Sequence, residues 1–228
     1  MATATSLIIF ASIFIARKRK AKKNIRRFPS RSLSVGALHG GKLALHRLLD
    51  YYEAHENAAS LQRAEAELKD ILEEEQPDFV KMQRTVAKLE ISRKEEDAVE
   101  ILQKAAEKAR TGKKHEAYET EMLLVEMLIY TGDFDRAFDC KCLKHEEISD
   151  ARRPLYKAII HVMLGRKEQA KKCWADFKDI QEHFEWPPSL KESQILDKVT
   201  TAFEEFEKVV QMLKDDIHKA QAKKTMKY

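Results

Sequence analysis

Two short stretches restrict the fold of this 228-residue chain more than any other feature. Gly132-Asp133-Phe134-Asp135-Arg136-Ala137 is echoed by Gly165-Arg166-Lys167-Glu168-Gln169-Ala170. The two glycines lie 33 residues apart, and so do the two alanines. In each stretch a Gly suits the left-handed residue that closes a helix, and a short turn follows. The Ala then lets two helix axes approach closely. A helix pair recurring at this period cannot bury its apolar face alone, so neighbouring pairs stack and share a core. The expected fold is all-α: a short α-solenoid of helix–turn–helix pairs with a long C-terminal capping helix. With only 6 Gly and 5 Pro, the chain has few breaks to spend on turns, which suits that architecture.

Helical periodicity begins near Gly40-Gly41. Leu45, Leu48, Leu49, Tyr52 and His55 share a face, and Leu61, Ala64, Leu68, Ile71 and Leu72 recur at spacings of three and four. An N-terminal helical pair is therefore expected over 39–76. Three degenerate repeats follow over 77–186, with helices at about 78–92 and 95–110, 114–131 and 133–147, and 150–164 and 166–184. Trp186-Pro187-Pro188 ends the array. Ser189 and Glu192 form a capping-box pattern for a long amphipathic helix over 189–222. On it Leu196, Val199, Phe203, Phe206, Val210, Leu213 and Ile217 alternate spacings of three and four, a heptad seam. That seam predicts either a cap packed on the array or a helix for a partner. The tail from Lys219 is basic and expected to fray.

The array resembles the tetratricopeptide repeat family, of plant organelle type. In the second pair Leu124, Leu128, Gly132, Asp133, Phe134 and Ala137 fall at the motif positions; in the third, Ala158, Gly165, Ala170 and Trp174 do. The first pair offers Ala98, Leu102 and Ala105, but Arg93 stands where the turn Gly belongs. The resemblance covers about 78–184. It implies a concave groove lined by first helices that holds a partner segment. The groove positions it implies are Glu119, Met122, Glu126, Ile129 and Tyr130 in the second pair and Arg152, Leu155, Ile159 and Val162 in the third. Val80, Gln83, Ala87 and Glu90 are the corresponding positions of the first pair. Family members that clamp chaperone C-terminal carboxylates use Lys, Arg and Asn at such places. Met122, Glu126, Leu155 and Ile159 do not supply that clamp. The implied occupant is apolar: a protein partner, or this chain's own last helix.

Charge divides the chain. Eleven of the 42 basic residues and none of the 38 acidic ones fall in residues 1–49, which leaves a body of net charge −7. An acidic body argues against nucleic-acid binding, since phosphate neutralisation needs clustered Lys and Arg. Residues 1–38 are read as a basic, mostly disordered targeting or anchor segment. The apolar run Leu7–Ala16 is followed at once by the basic run Arg17–Lys23. A secretory signal would place its charge before the run. Two readings stay open: an organelle transit peptide, chloroplast or mitochondrial, and a short signal anchor over 6–16 on an organelle surface. The chloroplast reading rests on likeness to transit peptides that begin Met-Ala-Thr/Ser.

The sequence holds no Gly-rich phosphate loop, no Gly-x-Ser-x-Gly and no His-Glu-x-x-His. Cys140-x-Cys142 with His145 would need to chelate from one helix, where residues two apart point about 200° apart. No catalytic residue, metal or cofactor is expected. Glu95-Glu96 and Glu204-Glu205-Glu207 are read as solvated faces. The expectation is a non-catalytic interaction scaffold that assists assembly or stability of a protein complex.

Overall fold

A computed structural model describes residues 30–56, 58–183 and 202–225. Ten α-helices and one 3-10 turn occupy the described residues, with no strand among them. They are α1 (Arg31–His39), α2 (Gly41–Glu56), α3 (Ala58–Glu73), α4 (Phe79–Ile91), α5 (Glu95–Ala109), α6 (Lys114–Thr131), α7 (Phe134–Asp139), the 3-10 turn Lys141–Lys144, α8 (Arg152–Met163), α9 (Lys167–His183) and α10 (Phe203–Thr225). Sequential helices pack as neighbours into an all-α helical-repeat solenoid.

The three corners share one local geometry. At the middle one, Asp133 N–H donates to Leu128 O and Gly132 N–H to Ile129 O. The third repeats this from Arg166 to His161 and Gly165 to Val162, and the first from Lys94 to Leu89 and Arg93 to Glu90. This double bond closes a helix when one residue turns left-handed. Gly132 and Gly165 do so with φ of 82° and 72°. Arg93 does so with φ of 63°, as the only described non-Gly residue at positive φ. The Cβ of Arg93 is crowded against its own backbone there, so the first corner forms at a local cost of about 1–2 kcal/mol. Ala98, Ala137 and Ala170 are fully buried behind these corners.

α6 is the central helix. Thirteen of its 18 residues are buried, on every side, as expected of a helix enclosed by neighbours rather than lying on a surface. α5 and α8 pack against it, and α3 packs along α4.

The structure departs from the sequence reading in four places. Residues 31–38, assigned to a basic tail, form α1, whose Val35 and Leu38 lie in the core. The helix expected over 133–147 stops at Asp139, because Glu121 captures the Cys142 amide at 2.7 Å and turns the chain. Cys140 and Cys142 therefore do not share an α-helix, and both are buried. The basic C-terminus continues as helix to Thr225, held where Gln221 Nε2 donates to Thr131 O at 2.8 Å. The capping-box residues Ser189 and Glu192, the Trp186-Pro187-Pro188 break, and Leu196 and Val199 of the seam lie outside the described residues, as does the apolar run 6–16.

Candidate functional site

The first helices of the array are α4, α6 and α8. Their shared face is covered by three helices of the same chain: α1 touches α4, α8 and α10; α2 packs on α4; α10 packs on α6 and α8. Of the positions assigned to a partner groove, Ala87, Met122, Glu126, Ile129, Tyr130, Leu155 and Ile159 are fully buried and Glu90 nearly so; Gln83, Glu119, Arg152 and Val162 are half-buried, and Val80 is exposed. The reason is physical. The face is apolar enough to need covering, and the chain supplies the cover itself.

The cover is held by arginines. Arg31, the first residue of α1, donates from Nε to Glu90 Oε1 at 2.9 Å and from Nη1 to Glu95 Oε1 at 3.1 Å. Its Nη1 also donates to Tyr130 O at 2.9 Å, and the guanidinium carbon lies 5.9 Å from the Tyr130 ring centre. The Arg31 amide donates to Glu90 Oε1 at 3.0 Å, and Ser30 Oγ donates to Glu90 Oε2 at 2.8 Å. All three charged side chains are 4% exposed or less. Glu95 is therefore an internal ion-pair partner rather than part of a solvated face. Burial alone would lower the Arg31 pKa; Glu90 and Glu95 more than offset it and hold the guanidinium charged.

A second arginine reaches deeper. Arg47 of α2 donates from Nη2 to Glu126 Oε1 at 2.6 Å and from Nη1 to Gln83 O at 3.1 Å. Glu126 also accepts the hydroxyls of Tyr130 at 2.7 Å and Tyr156 at 2.9 Å. Its two oxygens thus take three donors, which is how a buried carboxylate avoids an unpaired charge. Burial, and then the Glu126 charge, push both tyrosine pKa values well up, so both phenols remain donors.

Arg152 is also tied internally. It grips Glu119 through both terminal nitrogens at 2.9 Å and bonds Asp150, whose Oδ2 lies 2.6 Å from Nη2. Burial pushes the Asp150 pKa up, but the bonds from Arg152 win and hold it below its ordinary 3.8. Every cation and carboxylate assigned to the groove is thus committed within the chain.

The other end of α1 reaches the third pair. Gln181 Nε2 donates to His39 O at 2.7 Å, and the His39 ring lies 6.1 Å from that of Phe177. Trp174 stacks on Phe206 of α10 at 4.4 Å between ring centres. Phe206, Val210, Leu213 and Ile217 are buried, so the described part of the seam faces this chain's own array. Gly132 serves twice: its corner receives α10, and a Cβ at this position would fall 3.3 Å from Ile217 Cγ2 and 2.8 Å from Gln221 Nε2.

Sequence reasoning missed Arg31 and Arg47 as parts of the site. A signal existed: carboxylates at the assigned groove positions Glu90 and Glu126, beside apolar neighbours, call for cations, and the acid-free residues 1–49 hold them. Large apolar side chains facing solvent among the described residues are Val80, Met212 and a stripe on α2, Leu45, Leu49 and Tyr52, spaced i, i+4 and i+7, at 56%, 48% and 41% exposure. No helix among the described residues is long and apolar enough to cross a membrane.

No known protein family, characterised protein or solved structure matches the chain.

Proposed function

We propose that the protein is a non-catalytic, tetratricopeptide-like interaction scaffold of an organelle, the chloroplast by preference, that assists assembly or stability of a protein complex. The observation that carries this reading is the way the array holds α1: a helix laid across first helices and fixed by arginine on buried carboxylates. That is recognition of a helix by a helical array, carried out within one chain. Because the concave face is filled, a partner meets the outside of the cover. The stripe Leu45, Leu49 and Tyr52 matches one face of two helical turns, and its occupant is an amphipathic helix of a partner protein.

The test is recovery of a partner from the native organelle with wild type and with Leu45→Lys plus Leu49→Lys. Both positions are exposed, so the thermal midpoint should stay within experimental error while a defined partner is lost. Retention of that partner at wild-type level would remove the α2 face from the account. The uncharged run Leu7–Ala16 followed by Arg17–Lys23 favours a second reading, a membrane-tethered adaptor with residues 6–16 as signal anchor. The two readings differ in whether the N-terminus survives in the working protein.

A further inference from the structure

We propose that Thr111 is a phosphorylation site for a basophilic protein kinase, and that Lys108 and Lys114 hold the phosphate once it is in place. Thr111 lies on the connection between α5 and α6, and its modification does not depend on the partner reading of α2. Access is the first requirement. Among the described side chains, the exposed Ser and Thr hydroxyls are those of Thr111 and Ser149; Ser30, Ser32, Thr85 and Thr120 are buried, and the others are half-buried. Every residue from Arg110 to His115 is exposed, and a Cβ built on Gly112 would meet nothing within 4 Å, so an enzyme has room to close around this turn. Thr111 Oγ1 donates to Lys108 O at 3.1 Å, which leaves the lone pairs of the hydroxyl oxygen open.

Charge decides between the two exposed hydroxyls. Residues 108–115 hold Lys108, Arg110, Lys113, Lys114 and His115, with no Asp or Glu among them. Ser149 has Glu146, Glu147 and Asp150 beside it, so a phosphate there would meet like charge. In the basic turn Arg110 is already paired with Glu121, and Lys113 with Glu116. Lys108 and Lys114, three residues to either side of Thr111, are exposed and make no ion pair among the described residues. Two uncommitted ammonium groups match the charge of about −1.5 to −2 that a phosphothreonine carries near neutral pH. A kinase with an acidic substrate groove reads the same cations before transfer. In the transfer, Thr111 Oγ1 attacks the γ-phosphorus of Mg-ATP. The new O–P bond forms as the bond to the β–γ bridging oxygen breaks. ADP leaves with that electron pair, and the hydroxyl proton passes to the base of the kinase.

The test treats the full-length recombinant chain with Mg-ATP and the catalytic subunit of a basophilic Ser/Thr kinase, and locates the phosphate by peptide mass spectrometry. Incorporation at Thr111 is expected, and it should run at least about tenfold faster than at Ser149. Thr111→Val should abolish it, and Lys108→Glu should slow it about tenfold with the fold intact, because Lys108 is exposed and unpaired. No incorporation at Thr111, or equal rates at Thr111 and Ser149, would overturn the proposal. The second measurement is the thermal midpoint of the phosphorylated chain against the untreated one. Phosphate at Thr111 should raise it by about 2–4 °C, and the gain should vanish in Lys108→Ala plus Lys114→Ala. A midpoint that stays level or falls on phosphorylation would overturn the role given to the two lysines.

Discussion

The corners of the array and the face it encloses obey different rules. Each corner is closed by backbone bonds between residues five or fewer apart, at Leu89–Lys94, Leu128–Asp133 and His161–Arg166. The enclosed face is held by side chains from far along the chain: Arg31 reaches Tyr130 across 99 residues, and Arg47 reaches Glu126 across 79. A corner needs only one residue able to turn left-handed, and even Arg93 suffices. The face needs matched charges, and nothing local announces the match. Damage to a corner should therefore stay small, and damage to the enclosed charges should be large.

The largest expected effect is at Glu126. Glu126→Ala leaves Arg47 buried without its carboxylate and should cost about 3–5 kcal/mol, read by chemical denaturation. Pairing it with Arg47→Met should recover a large part of that loss, since a buried ion pair exchanged for packed apolar groups is often neutral. If the double variant is no better than the single one, the pair is not the unit that the geometry describes.

A smaller effect comes from pH. Burial, with Arg152 adding to it, holds the His39 imidazole below its ordinary 6.5, so the neutral ring is the folded form. On unfolding the ring regains its ordinary affinity for protons. Stability should hold above about pH 6.5 and fall as the pH drops through the window below it. His39→Leu should flatten that part of the profile. An unchanged slope would show that His39 does not carry it.

Next come the two corner glycines. Gly165→Ala meets open space and should cost only the backbone term, about 1 kcal/mol. Gly132→Ala carries the same term and also presses on Ile217 and Gln221 of α10. Its cost should exceed that of Gly165→Ala, with the excess shrinking in a Gln221→Ala background. Equal costs would mean that α10 does not seat on the corner.

The smallest effect has the opposite sign. Arg93→Gly relieves a left-handed non-Gly residue and should stabilise by about 0.5–1 kcal/mol, less than the full strain because Gly also frees the unfolded chain. A loss of stability would indicate that the Arg93 side chain contributes more than its backbone strain costs.

The sequence carries the corners because they are local. Gly132, Gly165, Ala137 and Ala170 mark them directly, and Arg93 is identifiable as an odd residue in a Gly place. The helix boundaries of α4, α5 and α6 follow from apolar spacing within two or three residues. Met122, Ile129, Leu155 and Ile159 are buried under the cover; of its three helices the last is legible from its seam, and α1 is not. α1 offers only Val35 and Leu38 as fully enclosed apolar groups, too few to stand out against a basic leader. Arg31 reads as targeting charge until Glu90 and Glu95 are seen beside it. The early end of α7 is hidden for a similar reason, since Glu121 captures the Cys142 amide from 21 residues away.

The central claim is that α1, with α2 and α10, covers the face shared by α4, α6 and α8. Hydrogen exchange followed by mass spectrometry on the full-length chain tests it directly. Amides in residues 33–39 should exchange at least about a hundredfold more slowly than in an unstructured peptide, within the same protected body as α6. Exchange there at unprotected rates, with α6 still slow, would contradict it.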